Sequence, residues 1–186
     1  MGFPFSSLYV VMFIFSSLQN CSLGSNLIHQ SCKKAAKTDP NLRYDFCITS
    51  LEANPKTRKA KHLEELAVTS IELTISNATE IVSNISNLLR QKAEVVIDPY
   101  AKGCLKDCSE LYSDAILALR DAKLDIESKD FEKANVDISS AMDASSTCED
   151  GFKEKKGEVS PLTKENSVFF QWTVISLAFT NMLVQQ

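Results

Sequence analysis

Three stretches of this 186-residue chain repeat apolar or small residues at alternating spacings of four and three. Between 61 and 92 the series is Ala67, Ile71, Thr74, Ala78, Ile81, Ile85 and Leu88; between 102 and 127 it is Leu105, Cys108, Tyr112, Ala115, Leu119, Ala122 and Ile126. Between 131 and 152 it is Ala134, Ile138, Ala141, Ser145, Cys148 and Phe152. A 4-3 repeat lays one stripe along one face of an α-helix and favours near-antiparallel, left-handed bundle packing. The connections, near Asp98-Pro99 and at Ser128-Lys129-Asp130, are short, and short links force neighbouring helices antiparallel. Composition agrees. The chain has only 5 Gly and 5 Pro, about half the usual share of roughly 12%, too few for the tight turns of a sheet-rich fold. Pro40, Pro55, Pro99 and Pro161 fall between the helical stretches, where a missing N–H does least harm.

A fourth segment, about 163–184, is apolar nearly all round: Val168, Phe169, Phe170, Trp172, Val174, Ile175, Leu177, Ala178, Phe179 and Met182. Gln171, Thr173, Ser176, Thr180 and Asn181 interrupt it. A membrane tail or processed lipid-anchor signal would read similarly. The run is short, repeatedly polar and ends without a basic anchor, and three amphipathic helices need a fourth partner. It is therefore read as a deeply packed bundle helix, and no membrane association is expected of the mature chain.

Residues 1–24 carry no charged side chain, and Leu8–Phe15 is a continuous apolar run followed by polar residues. This is the shape of a secretory signal peptide, although its start lacks the usual Lys or Arg. Ser22 and Gly24 place a cut before Ser25. Cleavage there removes Cys21 and sends Cys32, Cys47, Cys104, Cys108 and Cys148 into an oxidising route to the extracellular space, where disulfides persist. Residues 25–60 read as a smaller unit, two short helices (27–37 and 44–51) joined by the turn Thr38-Asp39-Pro40-Asn41. Residues 61–186 form the bundle, and 25–186 one domain.

Five cysteines permit two bridges and a leftover thiol, in several connectivities. Cys32 and Cys47 flank a turn and so come within bridging range. Cys108 and Cys148 lie on the seams of two helices expected to be antiparallel neighbours. Cys104, one turn before Cys108, competes on spacing for Cys148; being off the seam, it is left unpaired. The expected fold is all-α: an antiparallel up-and-down four-helix bundle preceded by a short disulfide-linked α-helical hairpin.

Catalytic patterns are not found. There is no H-E-x-x-H, G-x-S-x-G, P-loop, G-x-G-x-x-G or Glu-x-x-His motif. The two histidines, His29 and His62, read as surface residues, so no catalytic, metal or cofactor site is expected. A net charge of −4 gives no reason to expect nucleic-acid binding. The mixed run Glu149-Asp150 with Lys153-Glu154-Lys155-Lys156 reads as a solvated helix end. Two sequons, Asn77-Ala78-Thr79 and Asn84-Ile85-Ser86, stand seven apart on one side of a helix. With the seam beside them, at most one of Asn77 and Asn84 is expected to be fully glycosylated.

The strings Cys32-Lys33-Lys34, Tyr44-Asp45-Phe46-Cys47, Asp107-Cys108-Ser109-Glu110-Leu111-Tyr112-Ser113-Asp114-Ala115 and Thr147-Cys148-Glu149-Asp150-Gly151-Phe152 then carry a resemblance. From about 28 to 184 the chain resembles the plant invertase and pectin methylesterase inhibitor family, above all its pollen-allergen branch, described provisionally as invertase inhibitors. The resemblance implies the pairs Cys32–Cys47 and Cys108–Cys148. It also implies a secreted, non-catalytic inhibitor of the plant apoplast that docks 1:1 on the active-site cleft of cell-wall pectin methylesterase or acid invertase. Invertase inhibitors of the family carry a Pro-Lys-Phe motif near the link between the second and third bundle helices. Here that place holds Phe131-Glu132-Lys133, with the proline missing and the order altered; Phe131 and Lys133 are the candidate target contacts. Pectin methylesterase inhibitors of the family are implied to use exposed faces of the bundle helices. The competing reading is a non-inhibitory secreted bundle for interaction or ligand carriage, with a cavity beside Ala67, Ala78, Ala115, Ala122, Ala134 and Ala141. Phe169, Phe170, Trp172 and Phe179 are the side chains available to fill it.

Overall fold

The computed structural model describes residues 24–91 and 98–186. The expected leader, apart from Gly24, and most of the link before Asp98 lie outside the described residues. Every regular element among the described residues is helical. A first helix, α1, covers 24–38. It is followed by α2 (Tyr44–Ala53), a 3-10 turn (Thr57–Lys59), α3 (Leu63–Gln91), α4 (Pro99–Glu127), α5 (Phe131–Lys153) and α6 (Thr163–Val184).

The helix ends follow local chemistry. Asp98 caps α4 by accepting from the Tyr100 amide at 3.0 Å, with Pro99 in the first turn, where its absent N–H is not missed. Asp130 caps α5 by accepting from the Lys133 amide at 3.2 Å.

Four long helices pack as a ring, α3 against α4 and α6, α5 against α4 and α6. Cross-links run in opposite order along each neighbouring pair, the mark of antiparallel packing. Glu64 and Glu72 of α3 pair with Lys129, just past α4, and Lys123 of α4. Thr74 and Asn84 of α3 meet Ser176 and Glu165 of α6. Asn135 of α5 bonds Asn181 of α6, and Glu149 bonds Thr163.

The 4-3 stripes of α4 and α5 are buried along their whole length; on α3 Leu88 alone is half-buried. Space left by the small seam residues is filled by Tyr112, Phe152, Phe169 and Phe179, all fully buried, with Tyr112 edge-on to Phe169 at 4.9 Å. This aromatic filling weighs against a ligand-carrying core.

Helix α6 is long and apolar enough to cross a membrane, yet most of it is buried inside the protein. Three of its polar residues face partners inside the protein. Asn166 accepts from the Tyr112 hydroxyl at 2.8 Å, Ser176 meets Thr74 at 3.1 Å, and Gln171 holds both the Asn41 carbonyl and the Arg43 amide at 2.9 Å. Gln171 thus fastens the α1–α2 hairpin to the bundle, aided by Phe46 edge-on to Trp172 at 5.6 Å. The start of α1 rests on the 3-10 turn so closely that a Cβ on Gly24 would lie 1.9 Å from the Arg58 carbonyl oxygen. Only glycine fits there.

Candidate functional site

Two disulfides are present. Cys32–Cys47 joins α1 to α2 with Cα atoms 5.9 Å apart, and Cys108–Cys148 joins α4 to α5 at 4.9 Å. Cys104 carries a free, buried thiol whose Sγ lies 3.5 Å from the Gly151 carbonyl oxygen. The same carbonyl accepts from the Tyr100 hydroxyl at 2.6 Å. These residues and the Cys108–Cys148 bridge line a cavity of about 640 Å³ between α4 and α5. Among the described residues no group of three His, Cys, Asp or Glu could hold a metal. His29 is exposed and pairs with Glu52 at 3.0 Å, and His62 is exposed. The residues expected to touch a partner, Phe131 and Lys133, belong to a surface.

The α4–α5 pair offers the best-defined one. Its tight connection ends α4 in a Schellman turn: the Asp130 amide donates to the Asp125 carbonyl at 2.8 Å, and the Lys129 amide to that of Ile126 at 3.0 Å. Lys129 occupies the left-handed position, with φ of 67°. Phe131 is half-buried and packs on the core. The Lys133 ammonium is exposed but engaged, 2.7 Å from Asp125 and 3.4 Å from Asp137. Its pKa is raised, chiefly by the hydrogen bond to Asp125. Asp137 is raised too, by partial burial and by Asp125 beside it. The two candidate contacts therefore stand side by side at one end of the bundle, one half inserted and one ion-paired within the chain. On the outer face of α4, one seven-residue step apart, Leu117 and Leu124 are 57% and 60% exposed; Val136 of α5 is 65% exposed. Attention to the seams passes over these residues, because outward leucines look like departures from an amphipathic pattern rather than a signal.

The sequons lie on α3. Asn84 Nδ2 donates to Glu165 at 3.2 Å, and Asn77 Oδ1 is buried without a hydrogen-bond partner among the described residues. Glu149, expected at a solvated helix end, instead ties α5 to α6. It accepts from Thr163 at 2.9 Å and from Asn166 Nδ2 at 2.8 Å.

Comparison with known proteins places this geometry. A family model described as plant invertase/pectin methylesterase inhibitor matches residues 26–179. A Platanus acerifolia protein, provisionally named as an invertase inhibitor, is 44% identical over 177 residues, spanning 95% of this chain and 96% of that protein. Pectinesterase inhibitor 12 of Arabidopsis thaliana is 39% identical over 176 residues, spanning 94% and 98%. The crystal structure of a mutant form of a pectin methylesterase inhibitor from Arabidopsis superposes with a TM-score of 0.66 at 24% identity, covering 81% of this chain and 93% of that one, which shows the shared fold. The chain belongs to the plant invertase/pectin methylesterase inhibitor family, a family of enzyme inhibitors and not of catalysts.

Proposed function

We infer that this protein is a secreted, stoichiometric inhibitor that docks on the active-site cleft of a cell-wall pectin methylesterase, using the outer face of the α4–α5 pair. The observation that carries this reading is the pairing of a stapled, rigid helix pair with exposed Leu117 and Leu124 in a member of an inhibitor family. Rigidity matters because a surface already ordered pays less entropy on binding. A contact of about 800 Å² on each side is the ordinary scale for such a complex. Names among the relatives support the target, Pectinesterase inhibitor 12 above all.

Acid invertase is the second reading, favoured by the Platanus relative's name. It would engage the α4–α5 connection, with Phe131 as the inserted aromatic and Lys133 as the cation. Lys133 would have to leave Asp125 and Asp137 to do so. Delivery to the apoplast rests on the apolar run Leu8–Phe15, with cleavage before Ser25. On α3 at most one sequon is fully occupied, because a glycan on Asn84 displaces its bond to Glu165.

The test is titration of purified, oxidised protein into a pectin methylesterase and, separately, a cell-wall invertase across mildly acidic and neutral pH. Stoichiometric loss of pectin methylesterase activity is expected, with Phe131→Ala and Lys133→Ala retaining it. Loss of invertase activity that those two substitutions abolish would instead establish the second reading, and inhibition of neither enzyme would overturn both.

A further inference from the structure

Charge is not spread evenly along the chain. Residues 25–62 hold eight Lys or Arg against three Asp or Glu, a net of +5; residues 63–186 hold twelve against twenty-one, a net of −9. The stretch before α3 is therefore a cationic cap on an anionic bundle, although the whole molecule carries only −4.

The cations are arranged, not scattered. On α1, Lys33, Lys34 and Lys37 are exposed, and helical geometry places them within about 100° of one another. Ile28, Cys32 and Ala35 bury the opposite side of the helix. In the segment after α2, Arg58, Lys59 and Lys61 are exposed while Thr57 and Ala60 are buried. Among the described residues none of these six lies within ion-pair distance of a carboxylate. Lys56, by contrast, is held by Glu72 at 2.9 Å. The two clusters belong to one body: the Cys32–Cys47 bridge ties α1 to α2, the Ser25 hydroxyl donates to Glu52 of α2 at 2.8 Å, and the Thr57 hydroxyl donates back to the Asn54 carbonyl at 2.7 Å.

We propose that this cationic cap binds a linear acidic polysaccharide, a polyuronate with free carboxylates, as produced when an esterase removes methyl groups from pectin. Two unpaired cation clusters, one on α1 and one after α2, suit a polymer of repeated charge better than a single small anion. Uronate carboxyls, with pKa values near the ordinary carboxylate range of about 4, stay ionised in mildly acidic surroundings. Binding to such a polymer releases condensed counterions, and so weakens steeply with salt. The bundle's negative charge repels the polymer, which restricts contact to the hairpin. The hairpin is fastened to α6, which stands diagonally across the bundle from α4. Tethered in this way, the inhibitor is concentrated where demethylated pectin accumulates, and each meeting with an enzyme there gains from raised local concentration. The inference rests on the extracellular location proposed above, and not on which enzyme is inhibited.

The test is retention of the oxidised chain on immobilised polygalacturonate, with highly methylesterified pectin, anionic lipid vesicles and duplex DNA as comparisons. Binding to polygalacturonate is expected at low salt, at least tenfold tighter than to the other three, and lost as salt rises. Lys33→Ser/Lys34→Ser/Lys37→Ser and Arg58→Ser/Lys59→Ser/Lys61→Ser should each weaken it about tenfold. Lys153→Ser/Lys156→Ser, on the bundle, should not. Absence of retention overturns the proposal, as does equal retention on esterified pectin, vesicles or DNA, or indifference to both hairpin variants. Inhibition of soluble enzyme, measured on the same variants, should be unchanged; its loss in the unsubstituted protein would count against the proposed function and leave the polymer result standing.

Discussion

Tyr112 carries a buried polar contact across the bundle. Its ring is fully buried against Phe169, and its hydroxyl donates to Asn166 Oδ1 at 2.8 Å. Asn166 in turn donates to Glu149, which also accepts from Thr163, so one chain of bonds joins α4, α5 and α6. Tyr112→Phe keeps the ring packing and orphans the Asn166 oxygen, and should cost about 1–3 kcal/mol in urea unfolding. Burial, reinforced by the nearby charges of Glu165 and Glu149, raises the Tyr112 pKa well above its ordinary value. A phenol that holds its proton more tightly when folded stabilises the fold up to the unfolded pKa of about 10 and loses that contribution as pH rises further. The Tyr112→Phe variant should therefore show a shallower loss of stability above pH 10 than the unsubstituted protein. Spacing alone places Tyr112 on the α4 seam. Its partner is hidden in the sequence, because Asn166 lies 54 residues away and reads as an interruption of an apolar run. Glu149 is hidden for the same reason, a charge in a charged run. Cys104 is the opposite case: its position off the seam is enough to leave it without a bridge.

Helices are legible here to within a few residues because periodicity and caps agree: the stripe of α4 begins just inside Asp98-Pro99, and that of α5 just after Asp130. The 3-10 turn at Thr57–Lys59 is not legible. Its core is one buried threonine whose hydroxyl donates to the Leu51 and Asn54 carbonyls, a contact no periodic pattern encodes. Nor is the Schellman turn after α4, since lysine at its left-handed position gives no signal of the kind glycine would. That residue is a stability reserve. A non-glycine side chain in the left-handed region costs about 1–2 kcal/mol, and the exposed Lys129–Glu64 pair returns at most about 1. Lys129→Gly should therefore stabilise the protein by roughly 0.5–1 kcal/mol, read as a rise of about 1–4 °C in Tm. An unchanged or lowered Tm would show that the Glu64 contact outweighs the backbone term.

At the scale of the molecule, the architecture follows from four helices that each need three others, and the disulfides hold its parts at two levels. By chain entropy the Cys32–Cys47 and Cys108–Cys148 bridges, closing separations of 15 and 40 residues, contribute about 3 and 4 kcal/mol. The longer one crosses α4 and α5, so the pair proposed to meet the enzyme is also the pair whose relative position is fixed covalently. What seam analysis cannot supply is the outer surface, because burial selects residues by their apolar stripe whereas docking selects them by exposure. Leu117 and Leu124 are the sharpest test of that division. Both are more than half exposed on α4, so replacing them by glutamine, an equally good helix former, should change stability by no more than about 0.5 kcal/mol. If the enzyme buries them at the centre of its contact, Leu117→Gln/Leu124→Gln should weaken inhibition of pectin methylesterase at least tenfold. Far-UV circular dichroism and Tm should stay unchanged. The same substitution on the outer face of α5, Val136→Gln, separates a contact confined to α4 from one that spans both helices. Full inhibitory potency in all of these variants would remove the outer α4–α5 face from the docking site and turn attention to the helix ends around Phe131.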